Sequence, residues 1–335
     1  MSRILVLYTG GTIGMDHTPE GLAPVPGLLP RLLQRLLQRF ARPDLAFDVV
    51  EFEHLIDSSA LTPRQWNQIL DALVSRYQDY DGFVVIHGTD TMAYTAGVLA
   101  FALRGLAKPV VLTGAQLPLV HPRSDGWSNL ADALEAACQP DLNEVVIAFD
   151  RLLLRGSRAR KMDVERFAGF NSPNAEPLAE FAIHAHWRKA RWLQPDGEWR
   201  PLRINEDLKL AALMLTPGHG SALAGQILRD GGLDGAVLLA YGSGNAPADP
   251  VLLQGIAAMT ARGAPVLTLT QAPSGAVDVG AYAASQPLAR AGALPGADLT
   301  PEAALAKLQA LLSAGVSGDE LRKQLVRPLR GEMTV

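Results

Sequence analysis

The stretch from Asp81 to Ala96, DGFVVIHGTDTMAYTA, combines an apolar run, a polar turn and the start of a helical segment. The run Phe83–Ile86 has no polar residue, which is typical of a strand buried on both faces of a sheet. Similar runs recur with segments of helical length between them, and this alternation predicts a mostly parallel sheet with right-handed crossovers. The other runs are Ile4–Tyr8, Val110–Thr113, Val145–Phe149, Ala211–Leu215, Ala236–Ala240 and Val266–Leu269.

The chain has 335 residues, and at about 150 residues per domain this length predicts two domains. We expect a larger α/β domain at residues 1–190, with a mostly parallel sheet flanked by helices, a linker at 191–210, and a smaller α/β domain with a parallel sheet at 211–335. The stretch Trp187–Asn205 has neither the helical nor the strand period, which favours a linker or a small hairpin. Helices are predicted at Leu28–Phe40, Pro301–Ser313 and Gly318–Val326, and a strand nearer an edge at Phe47–Phe52.

Composition narrows the class of protein. Lys and Arg total 30 against 34 Asp and Glu, a net charge of −4, whereas a protein that binds nucleic acid by counterion release is strongly basic. The lone Cys138 excludes an internal disulfide and fits a reducing, cytoplasmic compartment. The run Ile4–Tyr8 is too short for a secretory signal, and no stretch approaches the roughly 18 apolar residues of a membrane span. We therefore expect an enzyme that binds neither nucleic acid nor membrane, and no metal or cofactor motif is present.

Polar residues follow several of the predicted strands, and ligands bind at such positions in an open α/β sheet. Residues 9–14, Thr-Gly-Gly-Thr-Ile-Gly, let the backbone turn sharply and come close to a ligand. Residues 87–92, His-Gly-Thr-Asp-Thr-Met, place hydroxyls and a carboxylate after another predicted strand. Residues 57–59, Asp-Ser-Ser, are a third group of polar side chains at the end of an apolar run. Each motif has a structural alternative, a tight strand-to-helix turn for the first and helix caps for the other two.

Two threonine hydroxyls, a carboxylate and an amine, from Thr12, Thr89, Asp90 and Lys161, form a set of groups suited to acyl transfer. A threonine nucleophile is weak at neutral pH, and a nearby base or a desolvated amine activates it. Taken singly, the members are weak signals, because a lysine among arginines is usually a solvated cation. His87 is more often a core or loop histidine than a base.

Several strings of the sequence occur together and in a fixed order: YTGGTIGM from Tyr8, IDSS from Ile56, DGFVVIHGTDTMAYTA from Asp81, PVVLTGAQLP from Pro109, RSDGWSNL from Arg123, YGSGNAP from Tyr241 and LRGEMT near the carboxyl end. With these strings the chain resembles the bacterial-type L-asparaginase family, and most closely its cytoplasmic type I branch. The two threonine motifs, TGGTIG and HGTDTMAYTA, are highly specific when they occur together. The resemblance runs through both halves of the chain.

The resemblance implies hydrolysis of the side-chain amide of L-asparagine to aspartate and ammonia without a cofactor. Thr12 matches the family's nucleophile, which attacks the amide carbon to give a β-aspartyl ester. Thr89, Lys161 and Asp90 match a second triad, in which the lysine hydrogen-bonds the Thr89 hydroxyl and Thr89 activates or positions water. A lysine that acts as a base must be neutral although a neighbouring carboxylate favours its charged form, so we expect Lys161 to be largely shielded from water.

The same resemblance implies contacts to the substrate. Asp90 pairs with the α-ammonium, Ser58 and Ser59 bind the α-carboxylate, and the carbonyl of Ala115 accepts a hydrogen bond from the amide. Backbone N–H groups that line the amide stabilise the oxyanion. The expected substrate-binding positions are Gly11, Asp57, Ser58, Ser59, Gly88, Ala115 and Asn245.

Assembly and regulation are also implied by the resemblance. Asn245 resembles a residue that reaches the site of a neighbouring subunit, which implies a homodimer or a homotetramer built as a dimer of dimers. Without the resemblance, residues 242–245 would be a plain strand-to-helix turn. Regulated members of the family carry Thr, Arg and Cys near a second asparagine site, where this chain has Arg160, Ala240 and Ala272, so we expect no allosteric activation.

One departure from the family lies in the predicted lid, Met15–Gly27. The family usually has a tyrosine where this chain has Leu22, and leucine cannot take or give a proton. The proton of Thr12 must then go toward Thr89 and Lys161, to water, or to another lid residue such as His17. We expect the wild-type protein to be active and the substitution Leu22→Tyr to change its rate.

Two alternative functions stay open. A glutaminase-asparaginase or an amidotransferase subunit that acts on an aminoacyl-tRNA would use the same chemistry, and one methylene changes discrimination by only about 1–3 kcal/mol. The acidic chain speaks mildly against tRNA. A non-catalytic amino-acid sensor would keep the pocket and lose the lid chemistry, as Leu22 allows.

Overall fold

The computed structural model describes residues 2–19, 21–33, 45–195, 197–277 and 286–334. The chain divides into two compact units, Met1–Arg203 and Ile204–Val335. Each unit contains its own sheet with helices, so the predicted α/β class, with a larger amino-terminal and a smaller carboxyl-terminal sheet, is confirmed. No helix in the described ranges has the length and apolarity that crossing a membrane requires.

The first unit is built on strands that match the apolar runs of the sequence. Its strands are β1 (Ser2–Tyr8), β2 (Met15–Thr18), β3 (Gly21–Pro24), β4 (Leu45–Glu51), β5 (Gly82–Ile86), β6 (Val110–Thr113), β7 (Val145–Phe149), β8 (Leu152–Arg155), β9 (Arg160–Lys161), β10 (Phe170–Asn171), β11 (Ala179–Phe181) and β12 (Ala185–Trp187).

Eight of these strands form one sheet in the order β12-β11-β8-β7-β6-β5-β1-β4, while β2–β3 and β9–β10 are separate pairs. The run from β4 through β1, β5 and β6 to β7 is parallel. Every residue of β5, β6 and β7 is buried, as expected for strands covered on both faces. The alternating strand predicted at Phe47–Phe52 is β4, and it lies at the edge of the sheet as predicted.

The far side of the sheet is antiparallel, which the sequence analysis did not predict. β7 and β8 form a hairpin through Asp150 and Arg151, whose φ angles are 45° and 63°. Two positive φ angles in a two-residue hairpin loop are typical of a type I′ turn, which usually contains glycine or asparagine. This turn contains neither glycine nor asparagine, and it is stabilised by a residue of another element, because the backbone amide of Asp150 donates to Asn129 Oδ1 at 3.0 Å.

Helices cover the sheet of the first unit. The predicted helix at Leu28–Phe40 is helical over residues 28–33 (α1), and residues 34–40 lie outside the described residues. Every residue of the helix that follows β5 is buried except Tyr94, which explains why its sequence has no polar face. The remaining helices are α2 (Pro63–Val74), α3 (Met92–Ala102) and α4 (Gly126–Ala137).

The tryptophan-rich stretch Trp187–Asn205 packs against the first unit over much of its length. Trp192 is buried in the core of that unit. The ring of Trp199 stacks on Tyr77 with 3.7 Å between the ring centroids. The division between the two units falls after Arg203.

The second unit contains a four-stranded parallel sheet in chain order, with an apolar core on each face. The predicted helix Pro301–Ser313 has those bounds, and the next helix ends at Leu325. The elements are β13 (Leu210–Met214), α5 (Gly220–Asp230), β14 (Gly235–Ala240), α6 (Pro250–Ala261), β15 (Val266–Thr270), α7 (Gln286–Arg290), β16 (Leu294–Pro295), α8 (Pro301–Ser313) and α9 (Gly318–Leu325).

The carboxyl-terminal segment of the second unit is fixed by a buried ion pair. Lys307 on α8 and Glu332 in the LRGEMT string have fully buried side chains, with 2.6 Å between Nζ and Oε1. Glu332 also accepts hydrogen bonds from the amides of Leu329 and Arg330. Burial lowers the pKa of Lys307, and the neighbouring Glu332 opposes this effect.

Candidate active site

The loops after β1 and β5 leave the sheet side by side, because these strands are parallel neighbours with Tyr8 opposite Ile86. The amide of Thr9 continues the pairing and donates to the Ile86 carbonyl at 3.0 Å. Gly10 and Gly11 have φ angles of 140° and 97°, which favour glycine. The glycine pair therefore turns the chain sharply at the carboxyl end of β1.

Three loops approach one another so closely that only glycine fits at the contacts. A Cβ on Gly11 would lie 2.6 Å from Gly88 Cα, a Cβ on Gly10 would lie 2.3 Å from the Ile56 carbonyl oxygen, and a Cβ on Gly88 would lie 2.3 Å from Ser58 Oγ. The TGGTIG, IDSS and HGTDT motifs therefore meet at one edge of the sheet.

Thr12 begins a short 3-10 helix, Thr12–Gly14, and its side chain is half-buried. Among the described residues, no hydrogen bond to the Thr12 hydroxyl is found. Thr12 follows Gly11 directly, as Thr89 follows Gly88, so each threonine is next to the point where the two loops touch. The hydroxyl of Thr12 is thus available to a ligand.

Lys161 joins the second threonine to the acid. Its Nζ donates to Thr89 Oγ1 at 2.8 Å and to Asp90 Oδ1 at 2.7 Å. The Lys161 side chain is 18% exposed, in keeping with the expected shielding, whereas the Asp90 side chain is 60% exposed. Lys161 is on β9, which pairs with β10 through Phe170.

The capping alternative for residues 87–92 is wrong for the side chains concerned. Helix α3 begins after Thr91 without a side-chain cap. Asp90 pairs with Lys161, and Thr91 Oγ1 donates to the Ser58 carbonyl at 2.8 Å. The side chains of Asp90 and Thr91 therefore bind residues distant in the chain instead of the first amides of α3.

The capping alternative for residues 57–59 concerned the helix that begins at Pro63, and that helix is capped by Thr62 instead, whereas Asp57 caps a shorter helix. Its Oδ1 accepts from the amide and the hydroxyl of Ser59, each at 2.9 Å, and caps the 3-10 helix Ser58–Ala60. Ser58 is buried and faces Gly88. The carboxylate of Asp57 therefore orders the loop that holds Ser58.

His87 is a structural histidine, as expected from its position at a buried strand end. Its Nδ1 lies 2.7 Å from the Gly88 carbonyl, which only accepts, so this nitrogen carries the proton. Nε2 then accepts from Thr95 Oγ1 at 3.0 Å, and Thr95 in turn accepts from Trp66 Nε1. Burial lowers the pKa of His87 to about 4, so the ring is neutral and holds the HGTDT loop in place.

Two residues that the sequence analysis did not assign hold the loop that contains Ala115. The Asp125 carboxylate accepts from the amides of Gln116 and Leu117, and Asn129 Nδ2 donates to the Gly114 carbonyl at 3.0 Å. Ala115 itself is buried. Asp125 and Asn129 lie in the string RSDGWSNL, so the resemblance pointed to the segment without indicating its role.

Asn245 lies in the second unit, in a turn where its amide donates to the Tyr241 carbonyl at 2.8 Å. Gly242 and Gly244 have φ angles of 46° and 107°, which fits the predicted turn. Asn245 Oδ1 is buried and has no hydrogen-bond partner in the part of the chain that the structure describes. The other predicted site residues lie in the first unit.

The predicted lid contains the hairpin of β2 and β3, in which His17 lies opposite Leu22. The amide of Val25 donates to the Gly14 carbonyl at 3.3 Å and closes the base of the hairpin. At the end of the segment, the amide of Gly27 donates to the Glu51 carboxylate at 3.0 Å. The base of the hairpin is therefore closed on the 3-10 helix of Thr12, and the end of the lid is attached to β4.

The fold and the site define an α/β protein with a cluster of threonine, lysine and aspartate after one of its parallel strands and a second threonine in the loop that touches this one. Residues 3–193 match the family described as Asparaginase, N-terminal, and residues 209–325 match the Glutaminase/Asparaginase C-terminal domain. The chain belongs to the asparaginase family.

Three similar proteins illustrate this relationship. L-asparaginase 1 of Escherichia coli is 42% identical over 99% of this chain and 98% of its own. The crystal structure of L-asparaginase I from Vibrio cholerae has a TM-score of 0.91 and 40% identity, with 100% of this chain and 99% of that chain covered. A glutamyl-tRNA(Gln) amidotransferase component of Aeropyrum pernix is 32% identical over 99% of this chain and 79% of its own.

Proposed function

We propose that this protein is an L-asparaginase, which hydrolyses the side-chain amide of L-asparagine to L-aspartate and ammonia. The observation that carries the proposal is the pair of hydrogen bonds from Lys161 to Thr89 and Asp90, next to the contact between Gly11 and Gly88. The similarity to L-asparaginases from two bacteria over nearly the whole chain supports the same substrate.

Thr12 is the nucleophile in this proposal. Its oxygen bonds to the amide carbon, the amide oxygen becomes an oxyanion, and collapse releases ammonia and leaves a β-aspartyl ester on Thr12. Backbone N–H groups of the glycine-rich loops, at Gly11 and Gly88, are the candidates to stabilise the oxyanion. Ala115 offers its carbonyl to the amide nitrogen.

Thr89 and Lys161 serve the second half of the reaction. With its hydroxyl held by Lys161, Thr89 positions the water that attacks the ester. The water supplies the hydroxyl of the new carboxyl group, and the Thr12 oxygen leaves with a proton, so the enzyme returns to its initial state. The Lys161 side chain is mostly shielded from solvent, so its amine is held against the Thr89 hydroxyl rather than surrounded by bulk water.

Asp90 is suited to hold the substrate's α-ammonium group. One of its carboxylate oxygens is bonded to Lys161 and the side chain stays well exposed, so the second oxygen is available to a ligand. Ser58, fixed by Thr91 and packed against Gly88, is the candidate for the α-carboxylate together with Ser59. A ligand bound in this way would place its side chain over the glycine contact.

We also propose a cytoplasmic location and a homodimeric or homotetrameric assembly. The lone Cys138 supports the location. The buried Oδ1 of Asn245, which has no partner among the described residues, supports the assembly, because a residue of another subunit or a ligand held there would supply its missing donor. No allosteric activation is part of this proposal, since Arg160, Ala240 and Ala272 replace the residues of the regulated members.

The proposal is tested by ammonia release from asparagine and from glutamine, measured side by side. We expect turnover of asparagine by the wild-type protein and its loss in both Thr12→Ala and Thr89→Val. Turnover of glutamine at a comparable rate would make the protein a glutaminase-asparaginase, and binding of asparagine without turnover would make it a sensor. Activity retained in Thr12→Ala would exclude the proposed nucleophile.

An amidotransferase subunit is a second candidate because of the similarity to the Aeropyrum pernix protein. The net charge of −4 gives this chain little attraction for tRNA. Glutamine hydrolysis that depends on added glutamyl-tRNA, with no turnover of free asparagine, would favour this candidate over an asparaginase.

A further inference from the structure

Among the described residues, no hydrogen bond joins the Thr12 hydroxyl to a base. Lys161 donates to Thr89 and Asp90 and therefore serves the second threonine. His87 is fully buried, and both of its ring nitrogens are bonded to neighbours. The hydrogen bonds of the described residues therefore leave the base for Thr12 unassigned.

The hairpin of β2 and β3 starts directly after the 3-10 helix of Thr12. In its antiparallel pairing His17 is opposite Leu22, and directly opposite residues share a face with about 5 Å between their Cβ atoms. Both side chains are exposed, Leu22 to 49%. His17 thus occupies the same face of the lid as the position where the resembled family has its tyrosine.

We propose that His17 is the general base and acid for Thr12 in this protein, in place of the missing lid tyrosine. The inference rests on the proposed function. This role requires the hairpin to turn about its base, where Val25 is bonded to Gly14, so that the face with His17 and Leu22 comes over Thr12. Leu22 then covers the substrate with an apolar surface that excludes water.

In the proposed acylation step, one proton moves from Thr12 through His17 to the leaving nitrogen. A ring nitrogen of His17 accepts the Thr12 hydroxyl proton as the oxygen–carbon bond forms. The same proton passes to the amide nitrogen as the carbon–nitrogen bond breaks, and ammonia leaves. The imidazole is neutral again when the ester stands on Thr12.

The neighbouring carboxylates Asp16, Glu51 and Asp57 either lie on the other face of the hairpin or already accept hydrogen bonds from backbone amides. Asp16 is on the opposite face of β2, paired with Ala23, and its Oδ1 accepts from the amide of His17 at 2.7 Å. The Glu51 carboxylate holds the amide of Gly27, and Asp57 holds Ser59. Within the described part of the hairpin, residues 15–18 and 21–24, His17 is the titratable side chain on the Leu22 face.

The test compares ammonia release by wild type, His17→Ala and His54→Ala, the last as a control that removes another exposed histidine of the first unit. General acid–base catalysis contributes about 100- to 10,000-fold, so we expect kcat to fall by about 100-fold or more in His17→Ala with little change in KM. His54→Ala should stay within about threefold of wild type, as for a surface change. Added imidazole should restore part of the kcat of His17→Ala, which a structural defect would not allow.

A second variant uses the cross-strand pairing. The double substitution His17→Ala/Leu22→Tyr places a phenol on the face that lost the imidazole, and we expect kcat to recover at least about tenfold over His17→Ala alone. Wild-type activity in His17→Ala, or a loss that neither imidazole nor Leu22→Tyr repairs, would overturn the role of His17 while leaving the asparaginase proposal intact. Absence of turnover in the wild type would instead overturn both.

Discussion

Lys161 shows how a single side chain acquires its chemistry from its surroundings. In the sequence it stands among arginines, where a lysine is normally a solvated cation. In the folded chain β9 brings it to Thr89 and Asp90, and its side chain is mostly shielded from water. The long-range pairing also explains why Asp90 does not cap α3, because the amine is a stronger partner for a carboxylate than one backbone N–H.

Replacement of Lys161 tests this assignment. Methionine has a similar length and no amine, so Lys161→Met should lower kcat by about 100- to 10,000-fold with a smaller change in KM. Lys323→Met, which removes an exposed lysine of the second unit, is the control. The readout is steady-state ammonia release, and a kcat for Lys161→Met near that of the control would contradict the role.

Helix α4 shows how one element supports the site without contributing chemistry. Asp125 and Asn129, at its start and in its second turn, hold the loop before and after Ala115. Asn129 also fixes the hairpin turn at Asp150. A further acid of the helix, Asp132, has a buried Oδ2 without a hydrogen-bond partner among the described residues.

Burial raises the pKa of Asp132 to about 7, with help from nearby Glu135. The folded protein therefore keeps a proton that the unfolded chain releases above its ordinary pKa of 3.8, so this group's contribution to stability is lost as pH rises from about 4 to 7. Allowing for partial exposure, we expect Asp132→Asn to gain about 2 kcal/mol of stability relative to wild type between pH 4 and pH 8. Urea denaturation at both pH values measures the difference, and a gain that is equal at the two would contradict the assignment. His87 titrates in both proteins and cancels in the comparison.

At the level of the whole chain, each unit has its own core, and the second closes its core with the LRGEMT string. Lys307 donates to the carbonyls of Leu325 and Arg327 as well as pairing with Glu332. These bonds attach the last described residues to α8. The LRGEMT string thus anchors the carboxyl-terminal segment to α8 through Glu332, a role that the family resemblance did not indicate.

Loss of one partner of this pair leaves a buried charge without compensation. We expect Lys307→Met to destabilise the second unit by about 3–5 kcal/mol. The double substitution Lys307→Met/Glu332→Met removes both charges and should recover part of that loss. Chemical denaturation measures both, and a Lys307→Met variant as stable as wild type would show that the pair is not closed in solution.

The proposed assembly and the expected lack of allosteric activation concern the whole protein. We expect sedimentation equilibrium to give a dimer or a tetramer, because the buried Oδ1 of Asn245 has no hydrogen-bond donor among the described residues. We expect asparagine saturation to be hyperbolic, because Arg160, Ala240 and Ala272 replace the residues of the regulated members. Asn245→Ala should raise KM more than it changes the assembly. A monomer at working concentration, or a sigmoidal curve, would contradict this expectation.

The sequence by itself determined the parallel strands of the two sheets, because a strand covered on both faces must be apolar throughout and such runs are visible locally. It also marked the loops that meet, since glycines are required where backbones come as close as Gly11 and Gly88 do. The roles of the site residues came from resemblance, and no local pattern distinguishes Lys161 from a surface cation.

Only the tertiary structure decided which partner each polar group takes. Asp90 could cap a helix or pair with an amine, the turn at Asp150 and Arg151 has no glycine to indicate it, and the pairing of His17 with Leu22 depends on the register of a hairpin. The partner of Asp90 and the turn at Asp150 are set by contacts with residues distant in the chain, whose free energies compete with local preferences and exceed them.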